Sequence, residues 1–270
     1  MENILHDLST PTLNKAIEEN IFSIFASFRH WHKAEVYEDA SMLRSITDIP
    51  FPLFNSIVRT KLEEAEIDPT ITRLTEEAKA RGVPLLWWTG PQTSPVDLGN
   101  YLVKHGFVKE EDMPGMAIEL DNLRDDLPVP AGFRFERLED DASIMQWNQV
   151  TGQGFGMPDF VIEAFYEFLN CVDRGKMKFY LGWLDRTPVA TSTLFMAAGV
   201  AGIFNVATIP EARRKGIGAI MTAFPLREAR KLGYYLGTLF ATKMGVGVYR
   251  SLGFQEYCKI GQYVWMPERS

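Results

Sequence analysis

The chain has few cysteines, and neither of them is placed for a disulfide framework or a metal site. Only Cys171 and Cys258 occur in 270 residues, and they stand far apart without metal-ligand spacing. Disulfide scaffolds and zinc sites need several cysteines at characteristic intervals. We therefore expect two buried, reduced thiols in a cytoplasmic protein that holds no metal.

The sequence also lacks a long apolar run. No uncharged apolar stretch reaches the roughly 18 residues that a membrane-spanning helix needs. The N-terminal residues MENILHDL carry acids early and do not show the basic-then-apolar order of a signal peptide. We expect no membrane partner.

Positive charge is scarce in the first half of the chain. Residues 1–127 hold 12 Lys and Arg against 22 Asp and Glu, whereas residues 128–270 hold 16 against 13. This balance argues against a protein that wraps nucleic acid, but it permits an anionic ligand in the second half. Glycine is absent before Gly82, so no glycine-dependent loop precedes that residue.

Residues 122–132 have the character of a linker, with two prolines, a glycine and several charges. We therefore predict two domains, residues 1–127 and 128–270. In the second, hairpins come first and helical crossovers later, which predicts an α+β fold with a mixed, mostly antiparallel sheet flanked by helices. The predicted helices span 140–151, 158–171, 216–232 and 243–252, and the strands span 133–138, 178–184, 189–196, 200–206 and 236–241, with a final hairpin of 254–257 and 262–265.

Part of this order recurs in the first half. A helix at 70–81, a strand at 85–89, a helix at 95–104, Gly106-Phe107 and a strand at 116–120 repeat the order found from residue 216 to residue 265. We infer a divergent internal duplication, hence two such units in tandem. An unrelated mixed domain is the alternative.

The strongest chemical signal follows the strand at 200–206. The run Arg213-Arg214-Lys215-Gly216-Ile217-Gly218-Ala219 comes after a proline turn and opens a helix. The first turn of a helix has unpaired N–H groups and a partial positive charge, and glycine lets a phosphate approach the backbone. A P-loop and a dinucleotide fingerprint both fail on the spacing of Lys and Gly. The alternative is a solvated basic turn that caps an amphipathic helix.

This run resembles the acetyl-CoA-binding motif of the GNAT N-acetyltransferase superfamily, Arg-x-x-Gly-x-Gly/Ala after a strand. A second element, Tyr249-Arg-Ser-Leu-Gly253-Phe254, is similar to the Tyr-x-x-x-Gly-Phe segment that ends the core of the same family. The distance between the two elements suits a helix, a strand and a helix. The likeness in element order extends over roughly residues 130–268.

The resemblance implies acetyl-CoA as the acyl donor and a primary amine of a small molecule or peptide as the acceptor. The pyrophosphate would lie on the N–H groups of residues 214–219, helped by the charges of Arg213, Arg214 and Lys215. The pantetheine arm would pair with Val206, Ala207 and Thr208 like an added strand. The thioester would sit where that strand separates from the next one.

In the family a tyrosine protonates the departing thiolate, and the matching residue is Tyr249. A purely structural aromatic residue is the alternative for Tyr249. The family often has Asn where this chain has Thr242, which is expected to cap the following helix and to contact CoA, and Ala where it has Gly245. Pro225 is expected to kink the loop helix.

The attacking amine must be neutral, so a base or a water chain is needed. All histidines precede residue 106. Asn205 is a candidate for orienting a water, and Glu163 and Glu167 are candidate carboxylates. Phe155 and Met157, in the glycine-rich run 151–158, are expected to form a mobile, apolar wall of the acceptor site, although a flexible loop pinned to the core is the alternative.

The first half lacks both elements. Leu102 stands four residues before Gly106, where the second half has Tyr249, and no glycine precedes the helix at 70–81. We predict a degenerate copy without a CoA loop. The leading function is acyl transfer from acetyl-CoA to an amine. A catalytically silent acyl-CoA-binding sensor or scaffold and an interaction domain without a CoA site are the alternatives.

Overall fold

A computed structural model describes residues 4–124 and 126–268 of the chain. Residues 1–3 and 269–270, at the ends of the two predicted domains, and Asp125 in the predicted linker lie outside the described residues. The helices are α1 (Thr10–Ala26), α2 (Glu64–Arg81), α3 (Leu98–Lys104), α4 (Asp141–Phe155), α5 (Asp159–Leu169), α6 (Ile217–Lys231) and α7 (Val246–Leu252). The strands are β1 (Glu35–Glu38), β2 (Leu43–Ile46), β3 (Ser56–Val58), β4 (Leu85–Thr89), β5 (Val108–Lys109), β6 (Met113–Glu119), β7 (Phe133–Leu138), β8 (Met177–Leu184), β9 (Thr187–Ala197), β10 (Val200–Thr208), β11 (Leu236–Phe240) and β12 (Gln255–Trp265).

The chain forms two compact units that each combine distant segments. Unit 1 holds residues 1–21 and 115–257, and unit 2 holds residues 22–114 and 258–270. These units do not coincide with the halves 1–127 and 128–270, because β6 pairs with β11 in unit 1 while the later part of β12 pairs with β4 in unit 2. The division into halves stays a prediction about the repeated sequence.

Unit 1 contains a sheet in the order β6-β11-β10-β9-β8-β7. Every neighbouring pair in it is antiparallel except β10 and β11, which run parallel. Side chains alternate between its faces, as β8 shows: Phe179 packs on Trp147 of α4 at 5.0 Å between ring centroids, while Tyr180 packs on Phe224 of α6 at 6.0 Å. Helices therefore flank the sheet on both faces, which confirms the predicted α+β fold class.

Unit 2 has the strand order β1-β2-β3-β4-β12, with β5 beside β12. Here β3 and β4 are the parallel pair. The core contains Ile57, Ile71, Leu74, Trp87 and Leu102, all nearly inaccessible to solvent. In each unit, neighbouring strands are antiparallel except for one parallel pair, and a helix lies between the two parallel strands in the sequence.

The predicted hairpin of 254–257 and 262–265 is wrong, because one continuous strand covers Gln255–Trp265. Gly261, between the two predicted strands, lies within the continuous strand, opposite Thr89. A Cβ on Gly261 would come within 2.4 Å of the Thr89 hydroxyl, so glycine here permits a close approach between strands.

Two predicted helix boundaries and the predicted burial of the cysteines need correction. Helix α4 continues through Phe155 instead of ending at residue 151, and α2 begins at Glu64 instead of residue 70. Cys171 and Cys258 form no disulfide, as predicted, but both are half-buried instead of buried. In the described part of the chain, no helix is both long enough and apolar enough to cross a membrane.

Candidate active site

The parallel strands β10 and β11 pair over only two positions, Ala201 with Gly237 and Gly202 with Thr238. Beyond these positions both strands continue, β10 to Thr208 and β11 to Phe240, without pairing to each other. The C-terminal half of β10 therefore has strand β9 on one side and an unpaired edge on the other. Val206, Ala207 and Thr208 lie on that edge, where sequence analysis placed the pantetheine arm.

A β-bulge interrupts β10 between Phe204 and Ala207. Asn205, at the bulge, has a left-handed backbone with φ of 51°, which is uncommon for a residue other than glycine. Its main-chain oxygen accepts a hydrogen bond of 2.9 Å from the Thr191 hydroxyl, and its side-chain Oδ1 lies 3.4 Å from the Thr193 hydroxyl. The half-buried carboxamide is therefore held at the place where the two strands separate.

The glycine loop has the geometry of an anion cradle. Arg214 and Gly216 both have left-handed backbones, with φ of 63° and 77°. Among the residues that the structure describes, no group accepts a hydrogen bond from the backbone N–H of residues 214–218. A Cβ added to Gly216 or Gly218 would meet no atom within 4 Å, so open space lies over these donors.

Ala219 closes this run of donors, because its N–H donates to the oxygen of Gly216 at 3.1 Å. The predicted set of phosphate donors, residues 214–219, therefore shortens by one residue. Ile217 is 1% exposed and anchors the loop in the core, while Arg214 and Lys215 are exposed. The loop combines a buried anchor with a solvent-facing, positively charged rim.

Arg213 has a different position from the one expected for a phosphate ligand. Its Nε donates to the oxygen of Thr208 at 3.0 Å, and its Nη2 donates to the oxygen of Gly154 at 2.9 Å. The guanidinium thus ties the end of β10 to the last turn of α4. Arg213 thus supports the entrance of the loop, and its contact with a phosphate stays a prediction.

The run 151–158 is not the mobile loop that its glycines suggested. Helix α4 includes Gly152 and Gly154, and each packs too closely for a side chain. A Cβ on Gly154 would lie 2.8 Å from the Cβ of Ala207, so this glycine lets α4 contact the end of β10. Phe155, at the end of α4, is 47% exposed, and Met157 is half-buried. Both remain candidates for an apolar acceptor wall.

Tyr249 lies on α7 and packs on the same apolar cluster as Val206 and Ala219. Burial raises the pKa of its phenol to about 12. Within the described residues its hydroxyl has no hydrogen-bond partner. A Cβ on Gly245 would lie 2.8 Å from the Tyr249 ring, which explains why the chain has glycine at that position. The neutral phenol of Tyr249 is therefore held in place by packing, and its hydroxyl hydrogen is available for donation.

Thr242 does not cap α7 with its side chain. The helix begins at Val246 with Gly245 as its N-cap, and the main-chain oxygen of Thr242 accepts from the N–H groups of both residues. The exposed Thr242 side chain stays a predicted contact for CoA. No group of three His, Cys, Asp or Glu residues able to hold a metal occurs in the described ranges.

Three residues that shape this region were not predicted from the sequence: Gly154, Thr151 and Thr191. Gly154 was assigned to a flexible loop, whereas its role is close packing. The two threonines were not considered, because a threonine in a strand or helix normally gives no functional signal. Their significance comes only from the bulge that they face.

A mixed sheet whose one parallel pair separates beside a glycine-rich helix start is the arrangement expected of the family that the sequence resembles. Residues 142–254 match the model of the acetyltransferase (GNAT) family. This part of the chain is therefore similar to the GNAT family over somewhat less than half of the sequence. No curated protein sequence matches the chain.

Solved structures extend the likeness to the whole chain. A GCN5-related N-acetyltransferase from Kribbella flavida is 18% identical with a TM-score of 0.70, covering 94% of this chain and 96% of its own. A GCN5-related N-acetyltransferase from Sphaerobacter thermophilus is 13% identical with a TM-score of 0.63, covering 95% and 92%. A tandem GNAT protein from the clavulanic acid biosynthesis pathway is 13% identical with a TM-score of 0.61, covering 97% and 95%.

At these identities the likeness establishes the fold. The predicted tandem arrangement, with a first half that is GNAT-like in fold, is confirmed. The family and the fold together support an acyl-transfer function.

Proposed function

We propose that this protein transfers an acetyl group from acetyl-CoA to a primary amine of a small molecule or peptide by direct attack. The observation that carries the proposal is the set of N–H groups of residues 214–218, which point into open space at the start of α6 without acceptors. A run of unpaired N–H groups at the start of a helix, where the helix dipole favours negative charge, fits a phosphate ligand.

The residues present fit acetyl-CoA at both of its ends. The diphosphate binds to the N–H groups at the start of α6, with Arg214 and Lys215 adding positive charge. The pantetheine arm lies along the unpaired edge of β10 at 206–208. The thioester then reaches the bulge at Asn205, where the two strands separate.

Tyr249 supplies the proton in the proposed reaction. The amine nitrogen forms a bond to the thioester carbon, and the bond from that carbon to sulfur then breaks. The phenol donates its hydrogen to the departing sulfur and takes a proton from the attacking nitrogen, so no phenolate accumulates. With its pKa raised to about 12, the phenol is protonated throughout the neutral range.

Asn205 and the apolar residues act on the acceptor. A water on the Asn205 carboxamide carries the proton that the ammonium form must lose before attack. Phe155 and Met157 favour an acceptor with an apolar part next to its amine. Glu163 and Glu167 stay candidates for the final proton acceptor.

The first experiment measures the thermal shift of the protein with acetyl-CoA. A ligand at 100 times its Kd adds about 2.7 kcal/mol to the free energy of unfolding, which is readily detected. The variant Gly218→Leu is expected to fold, because its side chain meets open space, but to lose the shift. Gly247→Leu is the matched control, since Gly247 is also an α-helical glycine beside open space, and its shift is expected to persist.

The second step is a panel of amines with free CoA thiol as the readout. A shift in the wild type together with thiol release for some amine supports acyl transfer. A shift without thiol release for any amine would favour the acyl-CoA sensor. No shift would mean that the glycine loop is structural, and the proposal would fail.

A further inference from the structure

A chain of buried hydroxyl groups runs from helix α4 through strand β9 to the bulge. The Thr151 hydroxyl donates to the Thr191 hydroxyl at 3.0 Å, and the Thr191 hydroxyl donates to the oxygen of Asn205 at 2.9 Å. Both threonines are 0% exposed. Each hydroxyl has one hydrogen, so the direction of donation along this chain is fixed.

The bulge needs such a restraint. A left-handed backbone at a residue other than glycine is unfavourable and persists only where its surroundings hold it. Asn205 and Val206 have no register partner on β9, so the ladder of strand pairs does not fix them. The Thr191 hydroxyl is the group that binds the main chain of Asn205 at 2.9 Å.

Fixing this one oxygen also orients the next N–H group. The oxygen of Asn205 and the N–H of Val206 belong to one peptide plane, and in a trans peptide they point in opposite directions. Because Thr191 draws the oxygen toward β9 and α4, the N–H of Val206 turns away from them. The edge of β10 opposite β9 is the edge left unpaired by β11.

We propose that Thr191, supported by Thr151, is a positioning residue that turns the N–H of Val206 toward the oxygen of the bound thioester. This inference rests on the proposed function. Thr191 does not touch the donor itself. It sets the direction of a main-chain donor that binds the acyl carbonyl and stabilises the negative charge that develops there during attack.

The proposed role of Thr191 affects the binding of the acyl group and not the binding of the rest of CoA. CoA without an acetyl group has no carbonyl for this donor, whereas the binding of the diphosphate at residues 214–218 is the same for both molecules. The substitution Thr191→Val keeps the shape of the side chain and removes only the hydroxyl. It is expected to weaken acetyl-CoA binding about tenfold, the change typical of one lost hydrogen bond, while CoA binding stays unchanged.

The experiment is a calorimetric titration of four proteins, each with acetyl-CoA and with CoA: the wild type, Thr191→Val, Thr191→Ser and Thr238→Val. Thr191→Ser keeps the hydroxyl and is expected to bind both ligands like the wild type. Thr238→Val is the matched control, because Thr238 is a buried threonine in the same sheet whose hydroxyl has no hydrogen-bond partner in the described part of the chain. If Thr191→Val fails to fold, Thr151→Val replaces it, with a smaller effect in the same direction.

The outcomes are distinct. Selective loss of acetyl-CoA binding in Thr191→Val with recovery in Thr191→Ser supports the proposal. Equal loss of both ligands, or no loss of either, would overturn it while leaving acetyl-CoA binding established. Failure of the wild type to bind either ligand would remove the proposed function itself, and this inference with it.

Discussion

Helices α2 and α6 occupy equivalent places in the two units, since each follows the first strand of a parallel pair, but their N-termini differ. At the start of α2, the Glu66 carboxylate accepts from the N–H of Glu63 at 3.2 Å, and a second acid, Glu64, lies in the same turn. At the start of α6 there is no side-chain cap and no acid, and the N-cap is Gly216. The first helix pairs the N–H groups of Glu63 and Glu66 with its own side chains, and the second leaves the N–H groups of residues 214–218 open.

The strands beside these helices differ in the same way. After β3, the N–H of Leu62 donates to the oxygen of Ser94, and the N–H of Ser94 donates to the oxygen of Thr60. The chain beyond β3 thus pairs again with the chain beyond β4. After β10 no such pairing with β11 follows. The place that would hold a pantetheine arm in unit 1 is filled by the protein's own backbone in unit 2.

A third pair of positions completes the comparison. The N–H of Phe107 donates to the oxygen of Leu102 at 3.0 Å, and the N–H of Phe254 donates to the oxygen of Tyr249 at 3.1 Å. Gly106 and Gly253 are left-handed in both cases. The backbone is conserved between the repeats while leucine replaces the phenol. A repeat can therefore keep its fold and lose ligand binding by pairing its own polar groups.

The largest expected effect comes from making Tyr249 resemble its apolar counterpart. In Tyr249→Phe we expect kcat for the best amine to fall about 100-fold, because the proton donor is lost. Acetyl-CoA binding is expected to stay within about twofold, since the phenol hydroxyl has no hydrogen-bond partner among the described residues. Thiol release and the thermal shift measure the two quantities separately, and unchanged turnover would remove Tyr249 from its assigned role.

The next prediction transfers the acid of α2 to α6. Ala219 holds the third helical position of α6, as Glu66 does in α2. We expect Ala219→Glu to weaken acetyl-CoA binding by about tenfold or more, because its charge repels the diphosphate at the same donors. Ala219→Gln, which has the same size without the charge, is the control. Equal losses in both variants would indicate crowding instead of charge.

A third prediction concerns pH and the burial of Tyr249. The phenol has a pKa of about 12 in the folded protein and 10.0 as its ordinary value, so folding favours the protonated form. The resulting stabilisation is fully present below pH 10 and is lost as the pH rises toward 12. Between pH 9 and 11 the free energy of unfolding of the wild type should fall by about 1 kcal/mol more than that of Tyr249→Phe in urea titrations. Parallel curves would contradict the assigned burial.

The smallest effect is expected from removing the acidic cap of α2. Glu66→Ala removes the acceptor for the Glu63 N–H and leaves α2 with only the Glu63 half of its capping box. The free energy of unfolding should fall by about 0.5–1 kcal/mol, the usual scale for losing a helix cap. Acetyl-CoA binding is expected to stay unchanged, because the backbone hydrogen bonds of Ser94 still close the gap beyond β3 and β4 and exclude the pantetheine arm. A second bound acetyl-CoA in this variant would show that the cap alone had closed the site.

Much of this arrangement was predictable from local sequence. The order of strands and helices around residues 133–252, the glycine loop and the equivalence of Leu102 with Tyr249 all follow from short-range patterns of apolar residues and glycine. These features depend on neighbours in the chain, and the structure places them as expected.

The parts that failed depend on contacts between distant residues. Gly152, Gly154 and Gly261 look like turn signals in the sequence, but each is a point where another element approaches closely. The role of Arg213 could not be inferred either, because its partners, the oxygens of Thr208 and Gly154, belong to two different elements. In the sequence, a glycine at a close contact looks the same as a glycine in a turn. An arginine that binds main-chain oxygens likewise looks the same as one that binds a phosphate.

Strand β12 has a consequence for the order in which the protein is made. Its residues 261–265 pair with β4, so the N-terminal part of the chain obtains a neighbour strand that the ribosome synthesises about 170 residues later. Until then, β4 has an open edge, and exposed edges of this kind invite pairing with other chains. Folding of unit 2 is therefore completed only after translation has passed residue 265. Truncation near the C-terminus should damage the N-terminal core before it affects the glycine loop.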